Sequence, residues 1–216
     1  MFRSKARSRT RALLLLVLIT ATAPTLAEMT AEVKSLQKQW ADINYHVAHD
    51  DKADRYAVLL SECEVLTKPE HAGVEGIIWC GIVKSSYAGY VGGLSALKYA
   101  KMARSDFERA IEMDGQALKG SAYTSLGTLY SKVPGWPLGF GNDKTAREML
   151  LKGIELNPEG IDSNYFYAEF LYDEGHRELA LEYLEKALQA APRPGREVAD
   201  AGRQEEIAQL LKELES

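Results

Sequence analysis

Two segments of the chain repeat one pattern 34 residues apart, and that interval restricts the fold more than any other feature. "AREMLLKGIELNP" places Ala146, Leu150, Gly153 and Pro158 at the offsets that Ala180, Leu184, Ala187 and Pro192 hold in "ALEYLEKALQAAP". Ala103, Phe107 and Ala110 in "ARSDFERAIEMDG" form an earlier copy, which ends in Gly115 where the others have Pro. Small residues at helical spacing let two antiparallel helices come close, and the bulky residue one turn away fills the space between them. One such pair leaves an apolar side uncovered, so the next pair has to stack on it. Pro158 and Pro192 stop their helices, and Gly175 suits a left-handed helix end.

The partner helices repeat as well. "YTSLGTLY" gives Tyr123, Leu126, Gly127 and Tyr130; "YAGYVGGL" gives Tyr87, Tyr90, Val91 and Leu94 at the same offsets. Tyr167, Ala168 and Leu171 hold the last three of these positions in the final copy. A Leu-Gly pair followed by Tyr, then A-x₃-F and Pro, at this period resembles the tetratricopeptide repeat. The resemblance covers residues 84–192 and implies an all-α, right-handed superhelix of antiparallel helix pairs that binds rather than catalyses. Upstream, residues 28–83 read as degenerate opening repeats, with Val33, Leu36, Trp40, Ile43 and Val47 on one helical face. Downstream, residues 193–216 read as a loop and a polar-faced C-terminal capping helix around "RQEEIAQLLKEL".

Between Gly127 and Ala146 the turn is seven residues longer than its counterpart between Ala168 and Ala180. "VPGWPLGFG" is therefore an insertion in a corner, spanning 132–143, with Asn142 or Asp143 as the next helix N-cap. Two readings compete. Trp136, Leu138 and Phe140 fold back on the stack as a tether, or the loop forms a rim beside the binding groove. The groove itself belongs to the first helix of each pair. Its inner face is expected to carry Ser85, Ala88, Gly92 and Ser95, then Ser121, Thr124, Thr128 and Ser131, then Asp162, Tyr165, Glu169 and Tyr172. From these the candidate ligand contacts are Thr124, Thr128, Ser131, Trp136, Phe140, Tyr165, Glu169 and Tyr172. Relatives that grip terminal carboxylates use Lys and Asn on this face, which this chain lacks there, so a neutral or basic segment or a small polar molecule is the expected ligand. The alternative is a solvated face.

The first 27 residues carry Arg3, Lys5, Arg7, Arg9 and Arg11, an apolar run from Ala12 to Ile19 and a small-residue end at Ala27. That is the pattern of a cleaved signal peptide, with the apolar run too short to span a bilayer and no cysteine at the cleavage point. The chain is thus expected in the periplasm or secreted, not embedded in a membrane. The whole sequence has 26 basic and 31 acidic side chains, and losing five basic residues with this segment leaves 21 against 31. Phosphate-driven nucleic acid binding needs a basic face, which argues against that class. Cys63 and Cys80 are the only cysteines. In an oxidising compartment an even pair invites a bridge, which would stabilise by about 3 kcal/mol; two separate buried thiols are the other reading.

No nucleophile elbow, phosphate loop or paired-histidine zinc motif appears, and no cofactor is expected. His46, His49 and Asp50 in "HVAHD" read as surface residues because a metal would need further ligands. Arg193, Arg196, Asp200 and Arg203 cluster after the last repeat, either to anchor the Pro-Gly loop or to hold a partner's carboxylate. The chain is expected to be a non-catalytic scaffold for an envelope protein or peptide. "PLGFGNDKTAREMLLKGIELN" followed by "YFYAEFLYDEG" also resembles the T-component proteins of tripartite ATP-independent periplasmic transporters. That resemblance implies a solute-binding protein partner and a small ligand. An enzyme or assembly chaperone acting on envelope polymers is a third class.

Overall fold

Where the small residues fall, helices touch. The computed structural model describes residues 29–215; the expected signal peptide lies outside them. The helices are α1 (Ala31–Tyr45), α2 (Lys52–Leu66), α3 (Val74–Val91), α4 (Gly93–Asp114), α5 (Ser121–Lys132), α6 (Asp143–Leu156), α7 (Ile161–Asp173), α8 (Arg177–Leu188) and α9 (Glu197–Glu215). Short 3-10 turns occupy His49–Asp51 and Ala117–Gly120. Among the described residues no strand forms, and Gly135 and Gly141 make one isolated bridge. The result is an all-α superhelical repeat: pairs α1/α2, α3/α4, α5/α6 and α7/α8 stack in series and α9 follows.

Local chemistry sets the helix ends. Thr30 Oγ1 accepts from Val33 N at 3.3 Å and Asn142 Oδ1 from Thr145 N at 2.8 Å, which makes these residues the N-caps of α1 and α6. After α7, Gly175 has φ +80°, the left-handed position glycine fills at a helix end.

Within the pairs, backbone approaches backbone at the small residues. A Cβ on Gly127 would lie 2.7 Å from Leu150 Cγ, 2.9 Å from Leu150 N and 3.0 Å from Ala146 O. A Cβ on Gly81 would lie 2.5 Å from the Phe107 ring. Ala103, Phe107 and Ala110, then Ala146, Leu150 and Gly153, then Ala180, Leu184 and Ala187 are all buried.

Gly81 on Phe107 therefore corresponds to Gly127 on Leu150, and this corrects the register expected for the earlier copy. "YAGYVGGL" is not its Leu-Gly segment; the matching residue lies ten positions upstream of Val91, and Leu94 is 94% exposed. The boundary expected at residue 84 falls inside α3. This copy also holds extra residues, but as helix: α3 and α4 run 18 and 22 residues and reverse at Gly92 and Gly93, with φ +61° and +58°. The α5/α6 pair places its extra residues in the loop instead.

Three apolar clusters make one continuous core. α1, α2 and α3 share the first, where the Cys63–Cys80 disulfide joins α2 to α3. Ile82 and Leu118 pack in this cluster and also in the next, around Phe107; Tyr130 links that one to the last, around Leu171 and Leu184. Lys84 and Asp106 form a buried ion pair between α3 and α4, and burial raises the Asp106 carboxyl pKa although Lys84 opposes it.

The C-terminal helix does more than cap the last pair. Ile207, Leu210 and Leu214 pack against α7 and α8, while Ala199 enters the first cluster and Gly202 lies against the Tyr45 ring of α1. α9 thus ties the end of the array to its beginning, and the stack closes on itself.

Candidate functional site

Closure of the stack encloses a groove of about 1340 Å³. α1 contributes Gln37 and Trp40, α3 Trp79 and Ser85 to Gly89 except Tyr87, and α5 the Ser121, Thr124, Ser125 and Thr128 face. Ile161 to Ser163 and Phe166 come from α7, and the α8–α9 connection and α9 supply Arg193, Arg196 and Arg203. Neither α2 nor α8 reaches it. First helices of the pairs face inward because their small residues meet the second helices on the opposite side.

Thr124 and Thr128 stand in the groove, and the Thr128 hydroxyl donates to the Thr124 carbonyl at 3.0 Å. Ser131 is not on its wall; its hydroxyl donates to Thr128 O at 2.8 Å. The expected aromatic and acidic end is misplaced by about one helical step. Tyr165 and Glu169 face a separate 430 Å³ recess formed with Asn44, Tyr45 and residues of α9, and Tyr172 packs against the last core cluster. In that recess burial raises the phenol pKa of Tyr45 to about 12 although the Arg203 charge opposes it. Asp162 lines the groove as expected, and Phe166, the residue after Tyr165 on α7, lines it where Tyr165 and Glu169 do not. The apolar Tyr165 is drawn under α9, and helix phase decides the rest.

The inserted loop splits between its two expected roles. Phe140 is the tether: its ring meets Tyr130 edge-on at 5.5 Å and the Arg104 guanidinium at 5.0 Å. Gly141 N donates to Pro134 O and Asn142 N to Tyr130 O, both at 3.0 Å, which closes the loop on α5. Leu138 and Pro134 form part of the groove rim. Trp136 does neither, being 89% exposed and away from the groove wall.

Charge on the groove departs from the acidic balance of the chain. Lys119, Lys132, Arg193, Arg196 and Arg203 line it against Glu159 and Asp162. Sequence reasoning missed this because Lys119 comes from the α4–α5 connection, whose Leu118 and Lys119 have φ +48° and +55°, and the arginines follow the repeats. Such left-handed backbone at non-glycine residues is uncommon.

Arg193 and Arg203 are occupied. Both hold Asp162, Arg203 Nε at 2.9 Å, and Arg193 also holds Asp200 and Arg203 Glu206. Burial alone would raise the Asp162 carboxyl, but the guanidiniums of Arg203 and Arg193 outweigh it and hold it well below the usual carboxylate range. This knot fastens α9 to α7. Lys132 is paired with Glu169 and Asp173.

Arg196 stays outside the knot. Its guanidinium carbon sits 4.8 Å from the Trp79 ring centroid, and among the described residues its buried Nε has no hydrogen-bond partner. The buried indole Nε1 of Trp79 has none either. Elsewhere, His46 contacts Asp42 at 3.3 Å and His49 leans on the Tyr90 ring. Among the described residues no group of three or more His, Cys, Asp or Glu is placed to hold a metal ion, and no helix is long and apolar enough to cross a membrane.

A tetratricopeptide-repeat family model matches residues 161–194, which are α7, α8 and the start of the loop after them. No curated protein matches the chain. Among solved structures, MamA AMB-1 is 19% identical, with 85% of this chain and 90% of that one covered and a TM-score of 0.43. MamA MSR-1 is also 19% identical, covering 85% and 94%, with a TM-score of 0.45.

Proposed function

Residues 161–194 being a tetratricopeptide repeat, we propose that this chain is a non-catalytic scaffold that holds a segment of a partner protein in its enclosed groove. The observation that carries this reading is the groove itself. It has room for several side chains, its wall mixes apolar surface with the Thr124 and Thr128 hydroxyls, and every inner helix contributes to it. The repeat supports a role in protein–protein interaction.

An excess of positive side chains on that wall favours an acidic or polar segment over the neutral or basic one expected from sequence. The basic start, apolar run and Ala27 support export, so the partner belongs to the envelope.

Substituting Ser125 by Trp fills the groove from α5, whereas Leu179→Arg changes only the outer face of α8, where Leu179 is 46% exposed. A protein captured from envelope extract by the natural chain and by Leu179→Arg, but lost with Ser125→Trp, supports the reading. Equal capture by both variants contradicts it.

A second reading treats the enclosed volume as a small-ligand cavity in a T-component that meets a solute-binding protein. Co-capture of such a protein, with a small molecule released on denaturation, would favour it.

A further inference from the structure

Each ion pair at the α9 end of the groove has a purpose except the one that Arg196 does not make. Arg193 and Arg203 spend their charge on Asp162, Asp200 and Glu206. Arg196 lies three residues from Arg193 on the same connection, yet among the described residues no carboxylate, carbonyl or hydroxyl accepts from its side chain. Its guanidinium carbon lies over the Trp79 ring, 4.8 Å from the centroid. Burial, and after it the neighbouring Arg193 charge, lower its pKa, while Asp162, Asp200 and Tyr45 oppose that shift.

A half-buried guanidinium with no acceptor is costly to maintain, and so is an indole N–H that is covered and unpaired. Both occur here in contact: Trp79 is 3% exposed and its Nε1 has no partner. The neighbouring Trp40 shows the ordinary outcome, since its Nε1 donates to Ser86 Oγ at 2.9 Å. Both orphan atoms are covered, so a groove occupant meets the remaining part of the half-buried Arg196 side chain on the wall, which makes no ion pair among the described residues. The occupant that fits an unpaired cation is an anionic one.

We propose that Arg196, seated on Trp79, is a carboxylate-binding site inside the groove, and that it receives an Asp or Glu side chain of the bound partner segment. This rests on the groove being the interaction surface. A planar guanidinium matches a carboxylate with two parallel hydrogen bonds, and stacking on an aromatic face fixes its orientation beforehand. Lys119, which makes no ion pair among the described residues, adds charge of the same sign on the wall, so an acidic segment is favoured there although the chain as a whole is acidic. The apolar remainder of the wall, ending at the exposed Leu94 and Leu138, suits apolar residues of the same segment.

The test is selection of peptides from a random display library against the full chain, repeated with Arg196→Gln, Arg196→Lys and Trp136→Ala. Melting temperatures confirm that each variant is folded. The natural chain should enrich peptides with Asp or Glu at one fixed position. Replacing that residue by Asn or Gln in a synthetic peptide should weaken binding about tenfold or more. Arg196→Gln should abolish the preference, Arg196→Lys should keep part of it, and Trp136→Ala should keep all of it. Raising the salt concentration should narrow the gap between acidic and amide peptides.

Groove-binding peptides with no acidic preference, or a preference that survives Arg196→Gln, would overturn the carboxylate site while leaving the groove reading intact. Enrichment of nothing, or of peptides that Ser125→Trp still binds, would overturn both. A preference for phosphorylated over acidic peptides would replace the carboxylate with a phosphate and so contradict the assignment.

Discussion

At the scale of single residues, neighbours decide what a side chain is worth. Trp136 and Phe140 are both aromatic and belong to one loop, yet Trp136 faces solvent while Phe140 packs on Tyr130 and Arg104. Trp136→Ala should leave the melting temperature unchanged within error, and Phe140→Ala should cost about 2 kcal/mol in chemical denaturation. The glycines divide in the same way. A Cβ at Gly127 meets the backbone of α6, so Gly127→Ala should destabilise by about 1–3 kcal/mol despite its better helix propensity. A Cβ at Gly89, inside α3, meets nothing within 4 Å, so Gly89→Ala should stabilise by about 0.5–1 kcal/mol. Removing one partner of the buried Lys84–Asp106 pair leaves an uncompensated charge, and Asp106→Ala should cost about 3–5 kcal/mol.

At the scale of helices, the repeating small and bulky residues were legible because they follow from contact within a pair. Ala146, Leu150 and Ala180, Leu184 occupy the buried positions their spacing implies. The register of α3 was not legible, since its extra residues lengthen two helices with no proline inside to mark the change, and Gly76, Gly81 and Gly89 lie within α3 without ending it; Gly92 and Gly93 mark the reversal. Thr124 and Thr128 were placed correctly on the inner face, whereas Tyr165, Glu169 and Tyr172 were not, because α9 covers that side of α7. The Arg cluster after the repeats had two readings from sequence, and the structure gives Arg193 and Arg203 the anchoring part. Asp162 carries that anchor. Its carboxyl pKa is depressed in the folded chain, so its contribution is present above the ordinary carboxylate pKa and is lost as pH falls toward the depressed value. Asp162→Asn should cost about 2 kcal/mol at neutral pH. The gap between variant and natural chain should shrink as pH drops below about 4. Urea denaturation across pH measures it.

At the scale of the whole molecule, closure by α9 turns an array of pairs into a walled groove. Pair-to-pair stacking explains the series, but the series alone would leave the two ends apart; Ala199 and Gly202 against the first pair bring them together. Gly202→Val inserts a side chain into the Tyr45 contact, and it should part α9 from α1 with Ile207 and Leu214 still seated on α8. Small-angle scattering should then report a larger radius of gyration. The groove as binding surface is tested most directly by photo-crosslinking in envelope extract. A benzoylphenylalanine is placed either at Thr128, on the groove wall, or at Leu179, on the outside of α8. The account predicts a discrete partner adduct from Thr128 and none from Leu179; an adduct from Leu179 with none from Thr128 would contradict it.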